Sequence, residues 1–235
     1  MRSFPKHFRR TRQDVYDELL DRFREEHARA PKTPEWQALE AELHAQGIDT
    51  TDLGLFSSVA RTHFDAEAAA PILVAWLPRM RDPVDKEVIA RTLTGTKTAA
   101  PEAARAILSE FRKAPLEDET GKWSYGNALS TLADSELADD LLELIRDPLH
   151  GRARQMLCDA LKRTKDPRAP DVLIELIGDD DVAGHAISAL RSYGPKSSLP
   201  HLQRARSKLE GVLERPTATP FAKRQARKAL ERIGP

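Results

Sequence analysis

The chain has 235 residues, 40% hydrophobic and 31% charged, and its 37 Lys and Arg are balanced by 37 Asp and Glu. That apolar fraction suffices for a buried core and excludes global disorder, while a single cysteine, Cys158, excludes an internal disulfide framework. The longest apolar run, residues 68–77, contains Pro71 and is too short to span a bilayer. No apolar segment follows the basic first ten residues, so a secretory signal is not expected and a cytoplasmic protein without membrane contact is. Arg outnumbers Lys 25 to 12 and Ala is abundant, a composition associated with GC-rich bacterial genomes.

From the N-terminus, Val15, Leu19, Leu20 and Phe23 form a helical stripe across residues 13–28, and Thr33-Pro34-Glu35-Trp36 opens a second helix carrying Leu39 and Leu43. Residues 47–58, GIDTTDLGLFSS, read as a linker pinned down by Leu53, Leu55 and Phe56. Residues 1–60 are therefore expected to be an N-terminal helical cap and linker; a partner-binding arm is the alternative. Residues 68–77 then read as a core helix, Asp82-Pro83 opens VDKEVIARTL, and another helix covers 101–111. At the far end Thr219-Pro220 opens a last helix, FAKRQARKALERI.

Residues 147–181 hold the clearest unit. Two amphipathic helices are expected, capped by Asp147 and Asp166, with Pro148 and Pro167 at the first helical position. Ala153, Leu157, Ala160 and Leu161 mark the buried stripe of one, and Val172, Leu173, Leu176 and Ile177 that of the other. A lone hairpin cannot bury both stripes, so it must stack on copies of itself. Leu132 stands 29 residues before Leu161, and residues 141–145 stand 32 before 173–177. On the other side Leu190 and Leu202 repeat Leu161 and Val172. Four or five hairpins of about 30 residues thus fill 61–235.

On Asp147-Pro148, Arg152-Ala153, Ala160-Leu161, Asp166-Pro167-Arg168-Ala169 and Leu173-Ile174-Glu175-Leu176-Ile177, the chain resembles the HEAT-repeat family, in particular its short variety named after phycobilisome lyases. The resemblance implies an all-α, right-handed α-solenoid whose concave surface binds other macromolecules, and it implies no single activity.

Aligning the hairpins on Leu132, Leu161 and Leu190 superposes Asn127, Met156 and His185, preceded by Gly126, Gln155 and Gly184. By the resemblance, this first helix of each hairpin lines the concave groove. Two glycines at one repeat position call for a close neighbour, either a ligand in the groove or the next helix. Trp123 and Tyr125, with Arg152 and Arg154 nearby in the next hairpin, suit the anchor residue of a protein partner or a nucleobase; packing of Trp123 into the hairpin junction is the alternative. His185 reads as a core histidine and Cys158 as an inert small hydrophobe.

Residues 191–235 carry 11 Lys and Arg against 3 Asp and Glu, a net +8, whereas 121–190 carry 8 against 13, a net −5. Lys223, Arg224, Arg227 and Lys228 on the last helix, with Arg204, Arg206 and Lys208 before it, form a basic patch that would hold phosphate or an acidic partner, or else solubilise the end of the stack. Metalloprotease, Walker, nucleophile-elbow and dinucleotide motifs are missing, as are the His-Glu pairs of the HEAT-repeat metal hydroxylases, so no cofactor is expected. Trp123, Tyr125 and Asp159 are of the residue types that HEAT-like DNA glycosylases use, but no motif of those enzymes aligns. The expected function is a non-enzymatic scaffold binding a protein partner through Trp123, Tyr125, Asn127, Arg152, Arg154, Gln155 and His185. Nucleic-acid binding through the basic patch is the alternative.

Overall fold

The computed structural model describes residues 31–53 and 64–234, with the helical positions Arg22 and Glu25. Apart from those two positions the helix expected over 13–28, and Leu55 and Phe56 of the expected linker, lie outside the described residues. Among those described, every regular element is a helix. In chain order these are α1 (Pro34–Ala45), α2 (Ala66–Trp76), α3 (Pro83–Leu93), α4 (Ala100–Lys113), α5 (Glu119–Leu132), α6 (Ala138–Arg146), α7 (Leu157–Thr164), α8 (Ala169–Glu175), α9 (Ala183–Arg191), α10 (Pro195–Arg204), α11 (Arg206–Glu214) and α12 (Pro220–Ile233).

Their starts follow from capping chemistry. Thr33, Asp82 and Thr219 each precede a proline, and each accepts a free amide of the first turn, from Trp36, from Val84 and Asp85, and from Ala222 respectively. Asp65 and Asp118 do the same for Ala68 and Gly121.

The helices stack in two rows. Along the first row α3 packs on α5, α5 on α7, α7 on α9 and α9 on α12. Each second-row helix packs on the first-row helix that follows it: α2 on α3, α4 on α5, α6 on α7, α8 on α9 and α11 on α12. The result is an α-solenoid with one continuous core. Its first-row wall is Leu129, Leu157, Leu161, Ile187 and Leu190, and its second-row wall Ile107, Leu141, Ile145, Leu173, Ile177 and Leu209, all fully buried. At the N-terminal end α1 lies on α2, burying Trp36, Leu39 and Leu43. There Trp76 Nε1 donates to Glu42 at 2.7 Å, and Thr33 Oγ1 donates to Asp85 on α3 at 2.6 Å.

Three expected boundaries are corrected. Asp147 does cap, accepting the Leu149 amide at 2.9 Å, but residues 148–155 form tight 3-10 turns broken at Gly151, where φ is +46° and ψ −131°. The α-helix starts only at Leu157, because glycine there allows a backbone reversal that the apolar spacing does not register. Asp166 accepts the Arg168 amide and closes a turn, so α8 begins at Ala169 with Pro170, not Pro167, in its first turn. The expected single helix over Arg204, Arg206 and Lys208 is divided at Ala205 into α10 and α11.

The paired glycines are explained by neighbouring helices. A Cβ on Gly126 would lie 3.1 Å from the Met156 Cβ, and one on Gly184 would lie 2.4 Å from the Phe221 ring and 3.2 Å from the Ala222 backbone. Gly211 on α11 has nothing within 4 Å of the same atom. Gly184→Ala is therefore expected to destabilise by about 1–3 kcal/mol despite its better helix propensity, whereas Gly211→Ala should stabilise by up to about 1 kcal/mol. Paired urea-unfolding curves measure both; equal signs for the two would refute the packing account.

Candidate interaction surface

The exposed side of the first row carries the residues that remain unsatisfied. On α5, Trp123 is 43% exposed, and Asn127 is exposed one turn further on. Arg152, exposed in the turns before α7, closes a depression of about 330 Å³ together with Glu119, Thr120, Trp123 and Gln155. Gln155 donates from Nε2 to the Asp181 carbonyl at 2.8 Å, tying this hairpin to the start of the next. His185 on α9 is half-buried, and its ring lies 5.0 Å from Phe221 on α12. Burial lowers the His185 pKa; Asp159 opposes that shift and Arg152 adds to it, so these two charges bear on the same ring. The Arg224 guanidinium lies 5.3 Å from the Phe221 ring. A single strip therefore runs from Trp123 through Arg152, His185 and Phe221 to Arg224, and joins the groove residues to the basic last helix. Phe221 is the member missed by sequence reasoning, which placed the end of the groove at His185.

Charge pairing separates the two rows. On the second row the cations bridge hairpins: Arg105 to Glu136 at 2.7 Å, Arg112 to Asp140 at 2.7 Å and Glu143 at 2.8 Å, Arg168 to Asp139 at 2.6 Å, Arg215 to Asp180 at 2.6 Å, and Arg204 to Asp171. On the first row Arg152, Lys223, Arg224, Arg227 and Lys228 have no carboxylate within ion-pair distance among the described residues.

Several expected site residues are elsewhere. Tyr125 is 3% exposed, with its hydroxyl pKa pushed up by burial and by Glu110, Asp118 and Glu87, so it offers no ring for stacking and cannot serve a glycosylase-like cleft. Arg154 is 2% exposed: Nε donates to the Gly151 carbonyl at 3.0 Å, Nη1 to the Ile145 carbonyl at 3.3 Å and Nη2 to Asp179 at 2.8 Å. It is a structural bolt. Arg204, Arg206 and Lys208 leave the basic patch as well. Arg204 and Lys208 reach back to Asp171 and the Glu175 carbonyl on α8, and Arg206 donates to the Gly234 carbonyl at 2.6 Å.

A buried polar cluster also escaped the sequence reading. Glu110, 3% exposed on the apolar side of α4, bridges Lys86 on α3 and Lys113, the latter at 3.0 Å. Fully buried Lys122 donates to the Phe111 carbonyl at 2.5 Å with its ammonium 4.6 Å from the Phe111 ring. A carboxylate inside the Ala103, Ile107, Phe111 stripe was the available signal. Cys158 is fully buried, and burial raises its thiol pKa, which removes the nucleophilic thiolate. Among the described residues no group of acidic, His and Cys side chains could hold a metal ion, and no helix is long and apolar enough to cross a membrane.

Residues 108–194, from the last turns of α4 to the end of α9, match the family model for HEAT repeats. No curated protein and no solved structure matches the chain.

Two outcomes test these assignments. Arg154→Ala should cost about 3 kcal/mol, as expected when buried partners are stranded, while Arg152→Ala should stay within about 0.5 kcal/mol, both read by urea denaturation. Similar losses would put Arg152 in the structural frame. Cys158 should resist a maleimide reagent in the native protein and react once urea unfolds it; rapid native labelling would overturn its inertness.

Proposed function

We propose that this HEAT-repeat protein is a non-enzymatic scaffold that binds a protein partner along the first-row face, with Trp123 and Arg152 at the centre of the contact. HEAT repeats commonly serve as interaction scaffolds, and one observation supports this placement within the stack. Arginines of the second row, among them Arg105, Arg112 and Arg168, are held in ion pairs between hairpins, while the first row leaves a large aromatic side chain and several arginines without acidic partners. Tryptophan and arginine are among the residue types most enriched at the energetic centres of interfaces, and here an exposed one of each stands side by side. Asn127, Gln155 and His185 supply adaptable polar contacts around it. In this reading residues 1–60 close the N-terminal end of the solenoid, residues 61–235 form the repeats, the first-row face is the concave one of a right-handed stack, and the protein works in the cytoplasm.

The nucleic-acid reading is weaker. Its seven basic residues are reduced to the four on α12, and Glu119 lines the same depression as Arg152, where a phosphate backbone would be repelled.

Affinity capture compares the wild-type chain with a Trp123→Ala/Arg152→Glu double variant. Proteins retained by the wild type should be lost from the variant while far-UV circular dichroism is unchanged. Retention of the same proteins in full yield would exclude this face as the binding surface.

A further inference from the structure

The strip continues onto α12, and its charge changes sign along the way. Around the depression, acidic Glu119 accompanies Arg152 and Trp123. Beyond Phe221, α12 exposes Arg224, Arg227 and Lys228 on one side, with Lys223 half-buried next to them, and buries Ala222, Gln225, Ala226 and Ala229 on the other. None of these four cations has a carboxylate within ion-pair distance among the described residues, and Arg224 lies against the Phe221 ring. Six other cations of residues 191–235 are engaged internally: Arg191, Arg204, Arg206, Lys208, Arg215 and Arg232. Of the eleven cations in this stretch six are thus engaged, Lys196 stands apart at the start of α10, and the four on α12 form one compact unsatisfied set continuous with the aromatic strip.

Resting on the scaffold reading, we propose that the partner is a protein segment with an acidic run seated on Lys223, Arg224, Arg227 and Lys228 and an apolar or aromatic anchor seated beside Trp123. Charge complementarity selects this occupant. A uniform polyanion would gain at α12 and lose at Glu119, which lines the depression beside Trp123, whereas a segment acidic at one end only meets opposite charge at one end and a ring at the other. The rings and arginines between them, His185, Phe221 and Arg152, give the segment a stacking surface instead of a plain charge patch. The reach is short: from α5 to α12 are three helix-to-helix steps of about 9 Å, roughly 27 Å, which an extended chain covers in about eight residues.

The test uses the full chain and a fluorescein-labelled synthetic peptide with a Trp-Leu pair at one end and about four acidic residues at the other, separated by about eight residues. Fluorescence anisotropy should show binding that weakens as salt rises and is lost when the peptide's acidic residues are made amides. An R224E/R227E/K228E variant should lose at least about tenfold in affinity, and W123A a comparable factor, both with unchanged circular dichroism. Single-stranded DNA of the same formal charge should bind less tightly than the peptide. The proposal is overturned if the peptide does not bind, if charge reversal on α12 leaves its affinity intact, or if the DNA binds more tightly. These failures differ from failure of the scaffold reading. A captured protein that depends on Trp123 and Arg152 but ignores the α12 charges keeps the scaffold and sinks the acidic segment.

Discussion

The stack depends on basic side chains, two of them fully buried, that close the C-terminal ends of second-row helices. A helix ends with carbonyls that have no amide to accept from, and at a hairpin junction those carbonyls are shut away from water. In this chain a basic side chain from a later element reaches in. Lys122 donates to the Phe111 carbonyl at the end of α4, Arg154 to the Ile145 carbonyl at the end of α6, and Arg215 to the Ile177 and Gly178 carbonyls just after α8. The positive charge also meets the negative end of each helix dipole, which stabilises it further. Without these groups each junction would leave a carbonyl desolvated, and neighbouring hairpins could slide on a core made largely of Ala and Leu.

That solution constrains the two surfaces differently. With the carbonyls capped from within, the second row holds its register through cross-hairpin ion pairs such as Arg105–Glu136 and Arg168–Asp139. Exposed pairs of this kind contribute little singly, but they consume the local charge and leave that face with few free cations. The first row sets its spacing by shape, with Gly126 against Met156 and Gly184 against Phe221, and by a few uncharged-partner bonds such as Gln155 to the Asp181 carbonyl, so Trp123, Arg152 and the α12 cations are not needed for register. Freedom from a structural task is what makes Trp123, Arg152 and the α12 cations candidates for recognition.

The sequence reveals the architecture wherever local chemistry decides it. Asp82-Pro83 and Thr219-Pro220 mark real helix starts, and the 29-residue spacing of Leu132, Leu161 and Leu190 marks real copies. It misleads where a long-range partner decides. Gly151 adopts its positive φ within a turn that Arg154 holds closed, and the sequence pattern alone makes Arg154 look like a surface arginine next to Arg152. Arg and Lys have long apolar stems, so a buried cation with a distant carbonyl partner and a solvated one share the same helical position in the pattern. Tyr125 and Trp123 show the same ambiguity for aromatics two residues apart on one helix: one turns into the junction and the other outward.

Net charge per segment proves a poor guide to an electrostatic surface in such a stack. The +8 of residues 191–235 reads as a broad basic end, yet Arg204, Lys208 and Arg215 reach back along the solenoid to carboxylates and carbonyls of an earlier hairpin, and Arg191, Arg206 and Arg232 bond within the end itself. The −5 of residues 121–190 is partly the counterpart of those reaches, since Asp171 and Asp180 are acids that C-terminal arginines neutralise. The two segment charges therefore overlap in part, because two of the acids and two of the arginines cancel each other inside the stack. What remains after the internal contacts are subtracted is narrower and better placed: Lys196 on α10 and, clustered, four cations on one helix, adjoining a ring that touches His185. Recognition depends on that remainder, because a charge already held by a neighbouring hairpin must be released before it can meet a partner.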